Sequence, residues 1–159
     1  MKLIIFEDGN FENLYPLTYL RPVFELKTGF DSLREKILRT VQADEVAYFT
    51  RDCFTATLGA KYGAPVNDLA ALDGELALVN GAALLLEGGA RPAFKDDALA
   101  VDGDTVVFGK LTSETVAALP KDGFEGFLKA AREKATTAPT DVKLMKYGWD
   151  FILENHHAL

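Results

Sequence analysis

The first half of the chain alternates short apolar runs with helical repeats, and this alternation limits the fold more than any other feature. Residues 3–6 form a continuous run of strand-forming residues, as expected for a strand that is buried on both faces. Similar runs follow at residues 45–50 and 75–79, and a helical segment precedes each of them. Strands that are separated by helices predict a parallel sheet, because a crossover must return the chain between them.

The two intervening helices are marked by their own signals. Asp31 or Ser32 can cap the first helix, and the second is predicted over residues 54–62. Apolar residues of the first helix recur at helical spacing, at Leu33, Ile37, Leu38 and Val41. Right-handed crossovers then place the segments after Phe6 and Val79 at one carboxyl edge of the sheet, where open α/β folds bind ligands.

The second half of the chain departs from this alternation. Residues 98–101 and 105–110 flank the turn sequence Asp-Gly-Asp, which predicts an antiparallel hairpin. Helices are expected over residues 113–119 and 124–135, and an apolar helix or turn over 149–156. We therefore expect an α/β fold with a Rossmann-like mixed sheet flanked by helices, in a single domain over residues 1–159.

Charge and hydropathy exclude several classes of partner. The chain carries 17 basic and 24 acidic residues, a net charge of −7, and its basic residues are scattered. Such a surface repels a nucleic-acid backbone. The sequence has no apolar stretch of the ~20 residues that span a bilayer, and no signal-peptide pattern follows the first residue. We expect a cytoplasmic protein with no nucleic-acid or membrane partner.

The segment between the first strand and the first helix carries a resemblance to a known family. Sugar nucleotidyltransferases have a loop here in which Leu, Pro-Leu-Thr, Pro and Gly follow one another, and residues 14, 16–18, 22 and 29 match them in order. The chain resembles the GlmU-like family of sugar nucleotidyltransferases more closely still. The matching segments cover almost the whole chain: 6–8, 14–18, 21–23, 25–26, 33–36, 78–81, 108–111 and 147–150.

This resemblance implies a fold of the nucleotide-diphospho-sugar transferase (GT-A) type and a specific reaction. An NTP and a sugar 1-phosphate would give an NDP-sugar and pyrophosphate, commonly with Mg²⁺ as cofactor. Relatives usually continue into a left-handed β-helix of hexapeptide repeats, and residues 1–159 contain no such repeat. Partners consistent with the resemblance are therefore the NTP, the sugar phosphate, and either further copies of the chain or a separate β-helix subunit.

Three positions depart from the pattern of the mainstream enzymes. Asn13 stands where they keep a phosphate-binding arginine, and Val23 where they keep a lysine. Asn80 replaces the aspartate that holds Mg²⁺, and a neutral amide is a poorer ligand for a hard cation than a carboxylate. Asp8, or the two aspartates at 96–97, could supply a carboxylate instead, although aspartates are also common in surface turns, so we assign no metal ligand. These departures leave open a second function, that of a non-catalytic sugar-nucleotide-binding or assembly module.

Three cationic residues are the candidates for binding phosphate. Arg21 and Lys27 are the predicted catalytic residues, since phosphoryl chemistry needs positioned positive charge, and Arg34 could add a further cation to the substrate site. The alternative for Arg21 is an internal ion pair with Glu25. The alternative for the other two is an exposed surface position.

Four more residues are predicted to contact substrate. Asp8 follows the first strand, Thr18 lies in the matched loop, and the pair Asn80 and Gly81 follows the third strand. Each has a structural alternative. Thr18 could shape its loop through a backbone hydrogen bond, and the other three could simply form turns.

Overall fold

The computed structural model describes residues 1–159 and contains ten strands and six α-helices. The strands are β1 (Lys2–Phe6), β2 (Lys27–Thr28), β3 (Asp31–Ser32), β4 (Glu45–Phe49), β5 (Leu76–Asn80), β6 (Ala83–Leu84), β7 (Ala98–Asp102), β8 (Thr105–Leu111), β9 (Thr136–Pro139) and β10 (Lys143–Leu144). The helices are α1 (Leu33–Thr40), α2 (Thr55–Tyr62), α3 (Ser113–Ala117), α4 (Phe124–Lys134), α5 (Gly148–Leu153) and α6 (Asn155–Ala158). Short 3₁₀ helices lie at Gly9–Leu14, Val23–Glu25, Asp52–Phe54 and Leu69–Ala71.

Six of the strands form one mixed sheet in the order β4-β1-β5-β8-β7-β9. β1 is parallel to β4 and to β5, so the first three predicted strands form the expected parallel half. β8 runs antiparallel to β5 and to β7, which confirms the hairpin and makes the sheet mixed. The predicted α/β class with helices flanking a mixed sheet is therefore confirmed. None of the helices is both long enough and apolar enough to cross a membrane.

Both faces of the sheet are buried, which explains the continuous apolar runs in its strands. Successive residues of a strand point to opposite faces, so Leu3 and Ile5 enter one core while Ile4 and Phe6 enter the other. The first core also receives apolar residues of α1, α2 and α5, and the second those of α3 and α4. The helices therefore cover the sheet on both sides.

Local signals explain where the first two helices begin and end. Ser32 caps α1 by accepting a hydrogen bond from the backbone N–H of Glu35, whose carboxylate accepts one from the backbone N–H of Ser32. α2 ends at Gly63, which adopts φ +59°, a left-handed conformation that glycine reaches without strain. Of the two predicted caps for α1, the structure selects Ser32.

Several elements were not predicted from the sequence. The segment between β1 and α1, expected to be a long loop as far as Gly29, contains two 3₁₀ helices and the paired strands β2 and β3. β9 extends the sheet by pairing in parallel with β7, although all four of its residues are exposed. A strand at the sheet edge with no buried face lacks the alternation by which strands are recognised. The predicted C-terminal element is divided into α5 and α6.

Candidate active site

A cleft of about 950 Å³ opens at the carboxyl edge of the parallel strands. Its walls are the segment after β1, the segment after β4, the turn between β7 and β8, and the first two turns of α4. The antiparallel orientation of β8 brings its first residues to the same edge at which β5 ends. The cleft therefore lies where the sequence placed the ligand site, and its volume is that of a typical small-molecule pocket.

Aromatic rings form the apolar part of the cleft. Phe124 is the first residue of α4, and its ring stacks on that of Phe49 with centroids 4.3 Å apart. The ring of Phe6 also contacts that of Phe124, at a centroid distance of 5.4 Å. Phe49 is 4% exposed and supports Phe124 from below, so a planar or apolar part of a ligand can rest against the half-buried ring of Phe124. α4 has no side-chain cap at its N-cap, Gly123, so backbone N–H groups of its first turn are left without that partner.

A buried ion pair fastens the long segment after β1 to the end of β4. The side chain of Glu7 is 1% exposed and accepts a hydrogen bond from Arg51 Nε at 2.8 Å. The same carboxylate accepts hydrogen bonds from Thr50 Oγ1 at 2.9 Å and from the backbone N–H of Val23 at 2.7 Å. Arg51 in turn donates to the carbonyl of Thr18 at 2.7 Å. Because the charges are paired and the carboxylate is fully hydrogen-bonded, this arrangement compensates the cost of burying them.

A second hydrogen-bonded group joins β1, β5 and β8 at the base of the cleft. Asn80 Nδ2 donates to Asp8 Oδ2 at 2.9 Å and to the carbonyl of Val106 at 3.0 Å. Asn80 Oδ1 accepts from the backbone N–H of Ala82 at 3.0 Å. Asp8 also accepts a hydrogen bond from the backbone N–H of Asn10 at 2.9 Å, which caps the 3₁₀ helix. The amide of Asn80 is thus occupied on both its nitrogen and its oxygen.

The lining of the cleft carries more negative than positive side chains. Its three basic residues are Arg51, Lys129 and Arg132, whereas six carboxylates line the same space: Glu7, Asp8, Asp52, Asp104, Asp122 and Glu125. Glu7 pairs with Arg51, and Asp104 pairs with Arg132 at 2.7 Å. Lys129 makes no ion pair with the protein. A polyanionic ligand therefore meets one unpaired cation and two that are already partly neutralised.

The three predicted phosphate-binding residues lie outside this lining. Arg21 is exposed and makes no side-chain ion pair; Glu25, its alternative partner, bonds Lys61 and Tyr62 instead. Lys27 is exposed on β2. Arg34 donates to Tyr48 Oη at 2.8 Å and lines a second cavity of about 580 Å³. The structure thus does not bring the three cations together.

The four predicted substrate contacts have different positions. Asp8 lines the cleft, and Asn80 lies directly beneath it in contact with Asp8. Thr18 is fully buried and donates to the carbonyl of Phe11 at 2.8 Å. At Gly81 a Cβ would lie 2.7 Å from the ring of Phe24, so the backbone here packs too closely for any side chain. Close packing accounts for this glycine.

Arg51, Lys129 and Arg132 were missed from the sequence although they are the basic residues of the cleft. Arg51 carried a usable signal, since it follows the second parallel strand just as Asp8 follows the first. Lys129 and Arg132 lie one helical turn apart on α4. Basic residues at this spacing are common on exposed helix faces, so the sequence alone does not mark them as site residues. Only the packing of α4 against the sheet identifies which of its faces meets the cleft.

The residues of the cleft fit a magnesium ion only in a limited way. No group of three or more histidine, cysteine or acidic side chains is arranged to hold a metal. Asp8 is the carboxylate at the end of β1, and the amide beside it is already hydrogen-bonded. Mg²⁺ is often bound by one or two carboxylates together with substrate phosphates. Asp8 could act as the single protein carboxylate that binds Mg²⁺.

Solved structures share the fold of this chain. A CTP:phosphocholine cytidylyltransferase from Streptococcus pneumoniae superposes with a TM-score of 0.58 at 12% identity, covering 98% of both chains. A Bacillus anthracis protein assigned as a glucose-1-phosphate thymidylyltransferase gives a TM-score of 0.54 at 10% identity, over 99% of this chain and 94% of the other. No curated protein sequence matches significantly. The fold is that of the nucleotidyltransferases.

The family is shown by the sequence itself. The model of the sugar nucleotidyl transferase family matches residues 3–159. The chain therefore belongs to the sugar nucleotidyl transferase family, which confirms the resemblance found in its motifs.

Proposed function

We propose that the chain transfers a nucleotidyl group from an NTP to a sugar 1-phosphate in the cleft at the carboxyl edge of the sheet. The family match over residues 3–159 carries the proposal, and the position of the cleft supports it. An oxygen of the sugar phosphate would attack the α-phosphorus of the NTP. The bond from that phosphorus to the bridging oxygen would break, and pyrophosphate would leave. We place this reaction in the cytoplasm.

Catalysis in this chemistry consists mainly of positioning two anions and neutralising the charge between them. Lys129 is the unpaired cation for the phosphates, and the uncapped first turn of α4 offers backbone N–H groups to an anion. The ring of Phe124, stacked on buried Phe49, would provide a surface for the base or the sugar ring. Mg²⁺ held by Asp8 would screen the repulsion between the phosphates.

Arg21 and Lys27 remain proposed catalytic residues, on the condition that the segment after β1 moves towards the cleft. Both side chains are exposed and lie outside the cleft lining, so neither reaches a ligand in the cleft unless the segment after β1 moves. Arg21→Ala and Lys27→Ala therefore leave turnover unchanged if the cleft in its present shape is the complete site. They reduce turnover if that segment closes over the substrate.

Pyrophosphate release tests the proposal. The chain is incubated with each of the four NTPs, Mg²⁺ and a panel of sugar 1-phosphates, extended to phosphocholine because a cytidylyltransferase for that substrate shares the fold. We expect release with at least one pair, and a loss of about tenfold in Lys129→Gln. Lys95→Gln, at an exposed position outside the cleft, is the matched control. Absence of release across the panel contradicts the proposal.

The occupied amide of Asn80 favours a second candidate, a module that binds sugar nucleotides without turnover. Asn80 stands where the mainstream enzymes hold Mg²⁺, and its hydrogen bonds to Asp8 and Val106 assign it to structure. Calorimetry with NTPs and NDP-sugars separates the two candidates. Binding without pyrophosphate release supports the module, whereas binding with release supports the enzyme.

A further inference from the structure

The guanidinium of Arg51 is held by protein groups along two of its three nitrogens. Nε donates to Glu7 Oε1 at 2.8 Å, and Nη2 donates to Glu7 Oε2 at 3.2 Å. Nη2 also donates to the backbone carbonyls of Thr18 at 2.7 Å and Arg21 at 3.2 Å. None of these hydrogen bonds involves Nη1, so its two N–H groups have no protein acceptor.

Aromatic rings cover the guanidinium as well. Its Cζ lies 4.0 Å from the centroid of the Phe11 ring and 4.8 Å from that of Phe54. The side chain of Arg51 is nevertheless 21% exposed, and it lines the cleft. Since the carboxylate, the carbonyls and the rings occupy the rest of the group, the Nη1 edge is the part left for a ligand.

A guanidinium fixed in this way is well suited to a phosphate. An Nη nitrogen with two free N–H groups forms charge-assisted hydrogen bonds to phosphate oxygens, and arginine suits such contacts because its planar donor group is rigid. The orientation is set before the ligand arrives, so little side-chain entropy is lost on binding. The carboxylate of Glu7 neutralises the positive charge of Arg51. The contact with phosphate therefore depends on the direction of the Nη1 donors rather than on net charge.

We propose that Arg51 binds a phosphate of the nucleotide through Nη1, and so supplies from the end of β4 the guanidinium that the segment after β1 lacks at Asn13. This inference rests on the proposed function, in that the cleft is taken to bind an NTP. The segment itself is tied to Arg51 through the carbonyls of Thr18 and Arg21. The same side chain would thus anchor this segment and contact the ligand.

The test compares two ligands in the Arg51→Lys variant, which keeps the positive charge and loses the planar guanidinium with its Nη1 donors. Calorimetry in the presence of Mg²⁺ measures binding of the best NTP and of its nucleoside, which has no phosphate. We expect the NTP affinity to fall about ten- to hundredfold and the nucleoside affinity to stay unchanged. A purely structural role would weaken both ligands together. Arg39→Lys, at an exposed arginine on α1, is the matched control.

A measurement on the unaltered protein covers the case in which the variant does not fold. In arginine side-chain NMR spectra, the Nη1 resonances of Arg51 should shift on addition of the NTP and not on addition of the nucleoside. Unshifted resonances, or equal NTP affinities in the Arg51→Lys variant and the unaltered chain, overturn the role of Arg51 while leaving turnover in place. Absence of NTP binding to the unaltered chain overturns this inference and the proposed function together.

Discussion

Replacing Asn80 by aspartate tests whether this position is fixed by the structure of the chain. Asn80→Asp restores the carboxylate that the mainstream enzymes have, at almost unchanged volume. Asn80 is 1% exposed, and its Nδ2 donates to both Asp8 and the carbonyl of Val106. A carboxylate cannot donate either hydrogen bond. It would also face the carboxylate of Asp8 across a distance that is now 2.9 Å.

The size of the effect follows from these contacts. Two lost hydrogen bonds cost about 1 kcal/mol each, and a buried carbonyl left without a donor costs about 1–3 kcal/mol. We therefore expect the free energy of unfolding to fall by about 3–5 kcal/mol at neutral pH. For a chain of this length, about 1 kcal/mol moves the midpoint of thermal unfolding by about 2–4 °C, so a loss of roughly 10 °C is expected.

The pH dependence gives the sharper test. Burial and the facing carboxylate of Asp8 raise the pKa of the introduced group above its unfolded value of ~3.9. A raised folded pKa means that ionisation adds to the cost of the lost hydrogen bonds. This added cost is complete above the folded pKa and is lost as the pH falls towards about 4, whereas the cost of the missing donors largely remains. The difference in midpoint between the variant and the unaltered chain should therefore shrink on acidification.

Thermal unfolding followed by circular dichroism between about pH 4 and 8 measures this difference. Asn80→Ala is the control, because it removes the same hydrogen bonds without adding a titratable group. Its loss of stability relative to the unaltered chain should therefore not depend on repulsion between two carboxylates. The reasoning is refuted if Asn80→Asp is as stable as the unaltered chain at neutral pH. It is also refuted if both variants show the same pH dependence.

Three further predictions concern packing, titration and the cleft. Gly81→Ala places a Cβ 2.7 Å from the ring of Phe24 and should lower the free energy of unfolding by about 1–3 kcal/mol in urea denaturation; an unchanged midpoint would contradict the packing argument. The backbone N–H of Thr112 lowers the pKa of Asp97, so stability from this carboxylate is present above about pH 4 and lost as the pH falls through the folded pKa. Asp97→Asn should accordingly flatten the fall in stability below about pH 4, and an equally steep fall would argue against it. Because the cleft lining is predominantly acidic, NTP binding should weaken strongly when EDTA removes divalent cations. The loss of affinity should be larger in Lys129→Gln. Tight binding of the metal-free NTP in calorimetry would contradict this prediction.

The parallel half of the sheet could be predicted because each of its strands is recognisable from its own residues. Residues 3–6 are buried on both faces, and a short apolar run of strand-forming residues that ends at turn residues is typical of such a strand. β9 and the pair β6 and β10 could not be predicted in the same way. Their residues pair because distant parts of the chain bring them together, and a two-residue strand or a wholly exposed one has no periodicity of its own.

The position of the cleft was predictable, whereas the identity of its cations was not. Chain topology alone places the ends of β1 and β5 at one edge, and the hydrogen bond between Asn80 and Asp8 confirms that they meet there. The family motif drew attention to Arg21, which lies outside the lining. The side chains of Arg51 and Lys129 reach the cleft from other elements, and such convergence depends on tertiary packing.

The way in which the segment after β1 is fastened has a consequence for protein engineering. Arg51 holds this segment by main-chain carbonyls, at Thr18 and Arg21, so the anchor does not depend on which side chains the loop displays. Tyr19 and Leu20, which are 60% and 87% exposed, lie between these two attachment points. A library randomised at positions 19–21 should therefore yield mostly folded variants, and would allow the exposed surface of this segment to be diversified while its attachment to Arg51 is kept.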